Sequence, residues 1–131
     1  MSRVLVDTSV WVEMFRGEDS KTVRTLGELL RQGLVCTNGL IRAEILSGAR
    51  SPADYKRLED GLTALDCLAD PPSLWPTVSQ ARYRLARDGF QAGIADLIVA
   101  ACAAHHKKTL LTLDGAFRKI QGVMPFEFLP S

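Results

Sequence analysis

The chain has 131 residues, 47% of them hydrophobic and 24% charged, which suits one globular domain over residues 1–131 and argues against two. Its net charge of +1 names no partner as a total, but acids fall in apolar runs and Arg and Lys in polar segments, as in an acidic pocket with a basic rim or an ordinary surface. No apolar run reaches the length of a membrane span, and the start lacks a signal peptide's apolar core, so the expected location is the cytoplasm.

In chain order, Arg3 to Val6 is a short β-branched run that predicts a buried strand. Thr8 to Phe15 predicts a short helix stopped near Gly17. Ser20 to Gln32 carries Val23, Leu26, Leu29 and Leu30 on a helical stripe, with Gly33 as its stop. Leu34 to Thr37 predicts a second strand, and Asn38 can cap a helix that runs to Ser47 and ends at Gly48. A helix over Ala53 to Leu62 and a third strand over Leu65 to Leu68 precede the Pro71-Pro72 break. Pro76 fits the first turn of a helix through Val78, Ala81 and Leu85, ending at Asp88-Gly89. Ile94 to His106 predicts a buried helix, Thr109 to Leu113 a strand, Gly115 to Ile120 a helix and Phe126 to Leu129 a last strand. Alternation of this kind predicts an α/β fold, a three-layer α/β/α sandwich around a mostly parallel sheet.

Ligands of open parallel sheets bind in the crevice at the carboxyl ends of the strands. Asp7 follows the first apolar run and Asp114 follows Thr109 to Leu113. Glu44 lies within two turns of the start of the helix after the second strand, and Asp96 opens the most apolar helix. The topology can gather all four at one rim. Each acid also has an ordinary explanation: Asp7 and Asp114 as helix caps, Asp96 as a favourable charge at a helix start, and Glu44 as a partner of Arg42. Together they are harder to explain that way. Glu44 and Asp96 stand in apolar runs with few neighbouring cations, and a buried unpaired carboxylate is costly. A hard divalent cation such as Mg²⁺ or Mn²⁺ would neutralise them and would support phosphoester hydrolysis. Thr8, Ser9 and Thr112 stand beside Asp7 and Asp114 and could hydrogen-bond the carboxylates or metal waters; the plainer roles, as helix caps or strand residues, suit Ser9 as well and Thr112 less. Strand alternation predicts that the Thr112 side chain points the same way as that of Asp114.

Four segments carry a family likeness: Val4-Leu5-Val6-Asp7-Thr8-Ser9, Arg42-Ala43-Glu44-Ile45, Gly93-Ile94-Ala95-Asp96-Leu97-Ile98 and Leu111-Thr112-Leu113-Asp114-Gly115-Ala116-Phe117. In this order and spacing the chain resembles the PIN-domain family and, in length, its VapC-type toxin branch. The resemblance implies an endoribonuclease dependent on Mg²⁺ or Mn²⁺, with Asp7, Glu44, Asp96 and Asp114 as catalytic and metal-binding acids and Thr112 as the accompanying hydroxyl. It also implies a homodimer, an RNA substrate, and a small DNA-binding antitoxin whose tail covers the acidic groove. Many relatives carry a further acid two residues after the one matching Asp114. Here that residue is Ala116, one ligand fewer for a second metal.

Other residues favour structural roles. Cys36, Cys67 and Cys102 read as small buried hydrophobes, Trp11 and Trp75 as core or subunit-interface anchors, and His105 and His106 as a favourable helix C-terminus. Arg82, Arg84, Arg87, Arg50 and Arg57 read as a solvated face or as phosphate contacts. Two alternatives compete with the nuclease. One is a receiver-like phosphoacceptor domain using Asp70, although Thr8 and Ser9 occupy the places where that fold puts a second acid. The other is a PIN-like module that binds partners without catalysis. No base-reading motif selects among transfer, messenger and ribosomal RNA.

Overall fold

The computed structural model describes residues 2–130. Five parallel strands form one sheet in the order β3-β2-β1-β4-β5: β1 (Val4–Val6), β2 (Val35–Asn38), β3 (Asp66–Leu68), β4 (Thr109–Leu111) and β5 (Glu127–Phe128). The three central strands are short, apolar or β-branched apart from Asn38 at the end of β2, and almost wholly buried, as expected of a parallel sheet covered on both faces. The edge strand β3 is largely exposed, and Cys67 is exposed with it, contrary to the expectation of a buried thiol; Cys36 and Cys102 are buried as expected.

Among the described residues, seven helices flank the sheet: α1 (Thr8–Phe15), α2 (Lys21–Arg31), α3 (Gly39–Ser47), α4 (Pro52–Thr63), α5 (Leu74–Arg87), α6 (Ile94–His106) and α7 (Ala116–Gln121). α1 packs on α2 and α3, and α3 on α4; α5, α6 and α7 pack on one another. The helix starts follow from side-chain caps, since Ser20 accepts from the Val23 N–H, Asn38 from Ile41 and Ser51 from Asp54. Gly33, at φ +69°, ends α2 by letting the Leu34 N–H reach back to the Leu29 carbonyl, a turn that a side chain would strain. Helix α6 is apolar almost all round, and Leu97, Val99, Ala100, Cys102 and Ala103 are buried along it. Truncating Leu97 to Ala there would cost about 2–5 kcal/mol.

β5 covers only Glu127–Phe128 of the expected Phe126 to Leu129, and β4 and Trp75 also differ from expectation. β4 ends at Leu111 instead of Leu113, because the Leu113 N–H is taken by the Ser9 hydroxyl instead of a strand partner. Trp11 is core, its Nε1–H donating to the Val6 carbonyl, whereas Trp75 is 63% exposed on the outer face of α5 and anchors nothing in the core. Among the described residues no helix is long and apolar enough to cross a membrane.

Candidate active site

The chain runs from β1 through β2 to β3 on one side, then returns to β4 and β5 on the other. The crevice at the carboxyl ends of β1 and β4 is therefore the topological switch point, where open α/β sheets bind ligands. Asp7 leaves β1 there, its N–H bonded to the Leu111 carbonyl at the end of β4. Asp114 follows β4 by three residues. Asp96 lies in the first turn of α6, and Glu44 projects from α3.

Asp7 is 5% exposed and occupies the N-cap position of α1, yet its side chain makes no capping bond. One oxygen, Oδ2, instead accepts from the Ser9 hydroxyl at 2.8 Å and the Thr112 hydroxyl at 2.9 Å. Ser9 in turn accepts from the Leu113 N–H, and Thr112 from the Asp114 N–H, so two hydroxyls join the ends of β1 and β4 around one buried carboxylate. Capping does not account for Ser9 or Thr112. Because β4 stops before it, Thr112 reaches Asp7 from the irregular segment beyond the strand.

Glu44 is held from the start of α1, where the Thr8 hydroxyl donates to its Oε1 at 2.7 Å. Its apolar flanks are misleading: Ile41 and Ile45 face the core, while Glu44 is exposed on another face of the helix. Arg42 is not its partner. That guanidinium donates to Thr37 Oγ1 and to the carbonyls of Leu62 and Leu65, tying α3 to the end of α4 and the approach to β3. Asp114 is exposed and its Oδ1 accepts from the Ala116 N–H, but Gly115 holds the N-cap position of α7, so Asp114 tethers the helix start from one residue further out than the cap expected of it.

Asp96 shows that the four acids share one electrostatic neighbourhood. Its carboxyl is pushed up to about 6, first by burial, then by the charges of Asp114 and Asp7, by a hydrogen bond to Asp114, and by Glu44. Among the described residues none of the four acids takes part in an ion pair. Excess negative charge without cationic partners, presented on oxygen donors alone, fits a hard divalent cation. As they stand, no three His, Cys, Asp or Glu side chains among the described residues converge to enclose an ion. Holding one requires side-chain rotation, which the exposed Glu44 and Asp114 permit. Asp70, by contrast, is exposed after the edge strand and is not among the acids acting on Asp96, which leaves the phosphoacceptor alternative without support.

The sequence model of the PIN domain matches residues 4–123, a stretch that includes all four acids. The chain belongs to the PIN-domain family. Among relatives of this PIN domain, Ribonuclease VapC11 of Mycobacterium tuberculosis is 31% identical over 120 residues, covering 87% of this chain and 88% of that protein. The fold is shared with VapBC-5 of the VapBC family of toxin–antitoxin systems from the same species, at a TM-score of 0.70 and 20% identity over the whole of both chains. It is also shared with VapBC2 of Rickettsia felis bound to a promoter DNA fragment, at a TM-score of 0.73 and 18% identity, covering 97% of this chain and 96% of that one.

Sequence reasoning did not single out Phe15 and Arg16, at the end of α1. Both line a groove of about 450 Å³ between α1, α3 and α4, with Glu44 on its wall. No local pattern marks them, since the groove exists only once three helices pack.

Proposed function

We propose that this PIN domain is the toxin of a type II toxin–antitoxin pair, a cytoplasmic endoribonuclease that hydrolyses RNA phosphodiester bonds with Mg²⁺ or Mn²⁺ held by Asp7, Glu44, Asp96 and Asp114. The observation that carries this reading is the gathering of four acids at a sheet switch point, where Asp96 is pushed up first by burial and then by the other three, and where none of them is paired with a cation among the described residues. The VapC ribonuclease relative supports RNA as substrate, and the fold shared with VapBC complexes supports an antitoxin partner. A homodimer belongs to the same reading.

When bound, the divalent cation would stabilise charge on the phosphoryl oxygens and lower the pKa of a water. The chain supplies the rest. Ser9 and Thr112 fix Asp7 through Oδ2, leaving Oδ1 without a hydrogen-bond partner among the described residues. Thr8 aims Glu44, the exposed acid best placed to orient the attacking water and accept its proton. The water oxygen bonds to phosphorus, the ester P–O bond breaks, and the leaving oxygen takes up a proton. Asp114, tethered to the start of α7, completes the acidic rim beside Asp96.

Calorimetry tests the metal site. Mn²⁺ should bind the parent chain and fail to bind Asp7→Ala, whereas unchanged binding would place the metal elsewhere.

A further inference from the structure

Two concavities open onto acids of the cluster: one of about 190 Å³ beside Asp114, whose single arginine, Arg118, lies over the Phe128 ring, and the groove of about 450 Å³ between α1 and α4, which carries three arginines. Glu44 forms part of its wall, held at the start of α1, and Arg16 caps the other end of that helix. An eight-residue helix is about 12 Å long, so the groove leads away from the carboxylates along α1. Arg50 and Arg57 line it from the α4 side, and all three arginines are exposed. Among the described residues, the one carboxylate there besides Glu44 is Asp54, already engaged by the Arg57 guanidinium at 2.7 Å and the Arg50 N–H at 3.1 Å. The groove thus carries more positive than negative charge at the mouth of a negative centre.

Its aromatic element is Phe15. The ring is 48% exposed and is backed by Trp11, with centroids 6.1 Å apart and planes tilted by 30°. A ring exposed on one side and packed on the other is a stacking platform of fixed orientation. Cations that track a backbone beside an aromatic face are the recurring pattern of single-strand recognition. The larger groove on α5, lined by Trp75 and Tyr83, lacks this pattern: none of the four acids borders it, Arg82 is tied to the Ala92 carbonyl, and Arg87 lies over Tyr83.

We propose that the α1–α4 groove is the path by which a single RNA strand reaches the carboxylates, with Arg16, Arg50 and Arg57 contacting its phosphates and Phe15 stacking on a base. The proposal rests on the nuclease reading for its direction, though RNA binding in the groove can be tested apart from cleavage. In the Asp96→Asn background with EDTA present, binding of a short fluorescein-labelled single-stranded RNA is followed by anisotropy between about 50 and 200 mM salt. Replacing Arg16, Arg50 and Arg57 together by Ala should weaken binding on the order of 30-fold and make the salt slope shallower by about 2. The triple Lys replacement should restore the slope. Phe15→Ala should weaken binding roughly 10-fold with the slope unchanged. Arg31→Ala, on α2, serves as the control.

Unchanged affinity and slope in the triple Ala variant would overturn the proposal, as would loss no greater than in the control. A groove that ignores RNA yet binds an acidic amphipathic helical peptide would overturn it in favour of a protein occupant. Cleavage of the same RNA by the parent chain with Mn²⁺ separates the two readings. Binding lost in the triple variant without parental cleavage keeps the groove and removes the nuclease; cleavage with binding unaltered in the triple variant does the reverse.

Discussion

Asp7 and Glu44 both act on the Asp96 carboxyl, yet they are held very differently. Asp7 is almost wholly buried where β1 and β4 end, and two hydroxyls grip one of its oxygens. Glu44 stands exposed on α3 and receives a single hydroxyl from Thr8. A carboxylate gripped on one oxygen and buried is preorganised, while an exposed one on a helix can rotate as charge develops. On the proposed reading, the Asp7 wall of the site would fix the ion and the Glu44 wall would move a proton.

Substitutions can break that contrast. Asp7→Asn removes a negative charge without changing shape, and RNA cleavage in Mn²⁺ should fall by about 10³-fold or more. Glu44→Gln should fall by roughly 10²-fold, and it should leave Mn²⁺ affinity less affected than Asp7→Asn does. Equal losses of metal affinity would erase the distinction between the walls. Thr112→Val removes one of the two hydroxyl bonds to Asp7 and should cost about 10- to 100-fold in metal affinity or rate. Thr8→Val frees only the mobile acid and should cost less than about 10-fold, read in kcat rather than in metal binding.

The smallest effect concerns stability. The Asp96 carboxyl keeps its proton to about pH 6 in the folded metal-free chain, against an ordinary value of 3.8, so the neutral form is the one folding favours. The associated stability is complete below about pH 4 and is lost as the pH rises through 6. Asp96→Asn should therefore raise the melting temperature of the metal-free protein at pH 7 by a few degrees, about 1 kcal/mol after solvent screening, and change it little at pH 4. Thermal unfolding in EDTA at the two pH values checks this, and a destabilised variant at pH 7 would contradict it.

Much of the fold was legible because its signals are local. Ser20, Asn38 and Ser51 cap the helices they precede, and α1 and α6 take the limits that their apolar spacing implies. β4 was not, because its end is decided by Ser9, which lies 104 residues away and takes the Leu113 N–H. The proximity of the four acids was legible, since Asp7 and Asp114 follow apolar strands, Asp96 lies in the first turn of an apolar helix and Glu44 lies within two turns of the start of α3. Their burial was not: the helical period alone turns Glu44 outward while Ile41 and Ile45 face in. Arg42 was misjudged for a related reason, as its carbonyl partners lie twenty or more residues on, across the α3–α4 packing.

The central claim is that these four carboxylates form one metal site that cleaves RNA, and a single cleavage assay addresses it most directly. The parent chain and Asp96→Asn are incubated with RNA in Mn²⁺ and in EDTA, with thermal unfolding confirming that both are folded. Cleavage by the parent in Mn²⁺ alone, with none by the folded Asp96→Asn, is the predicted result. Equal cleavage by the two proteins, or cleavage by the parent in EDTA, would contradict it.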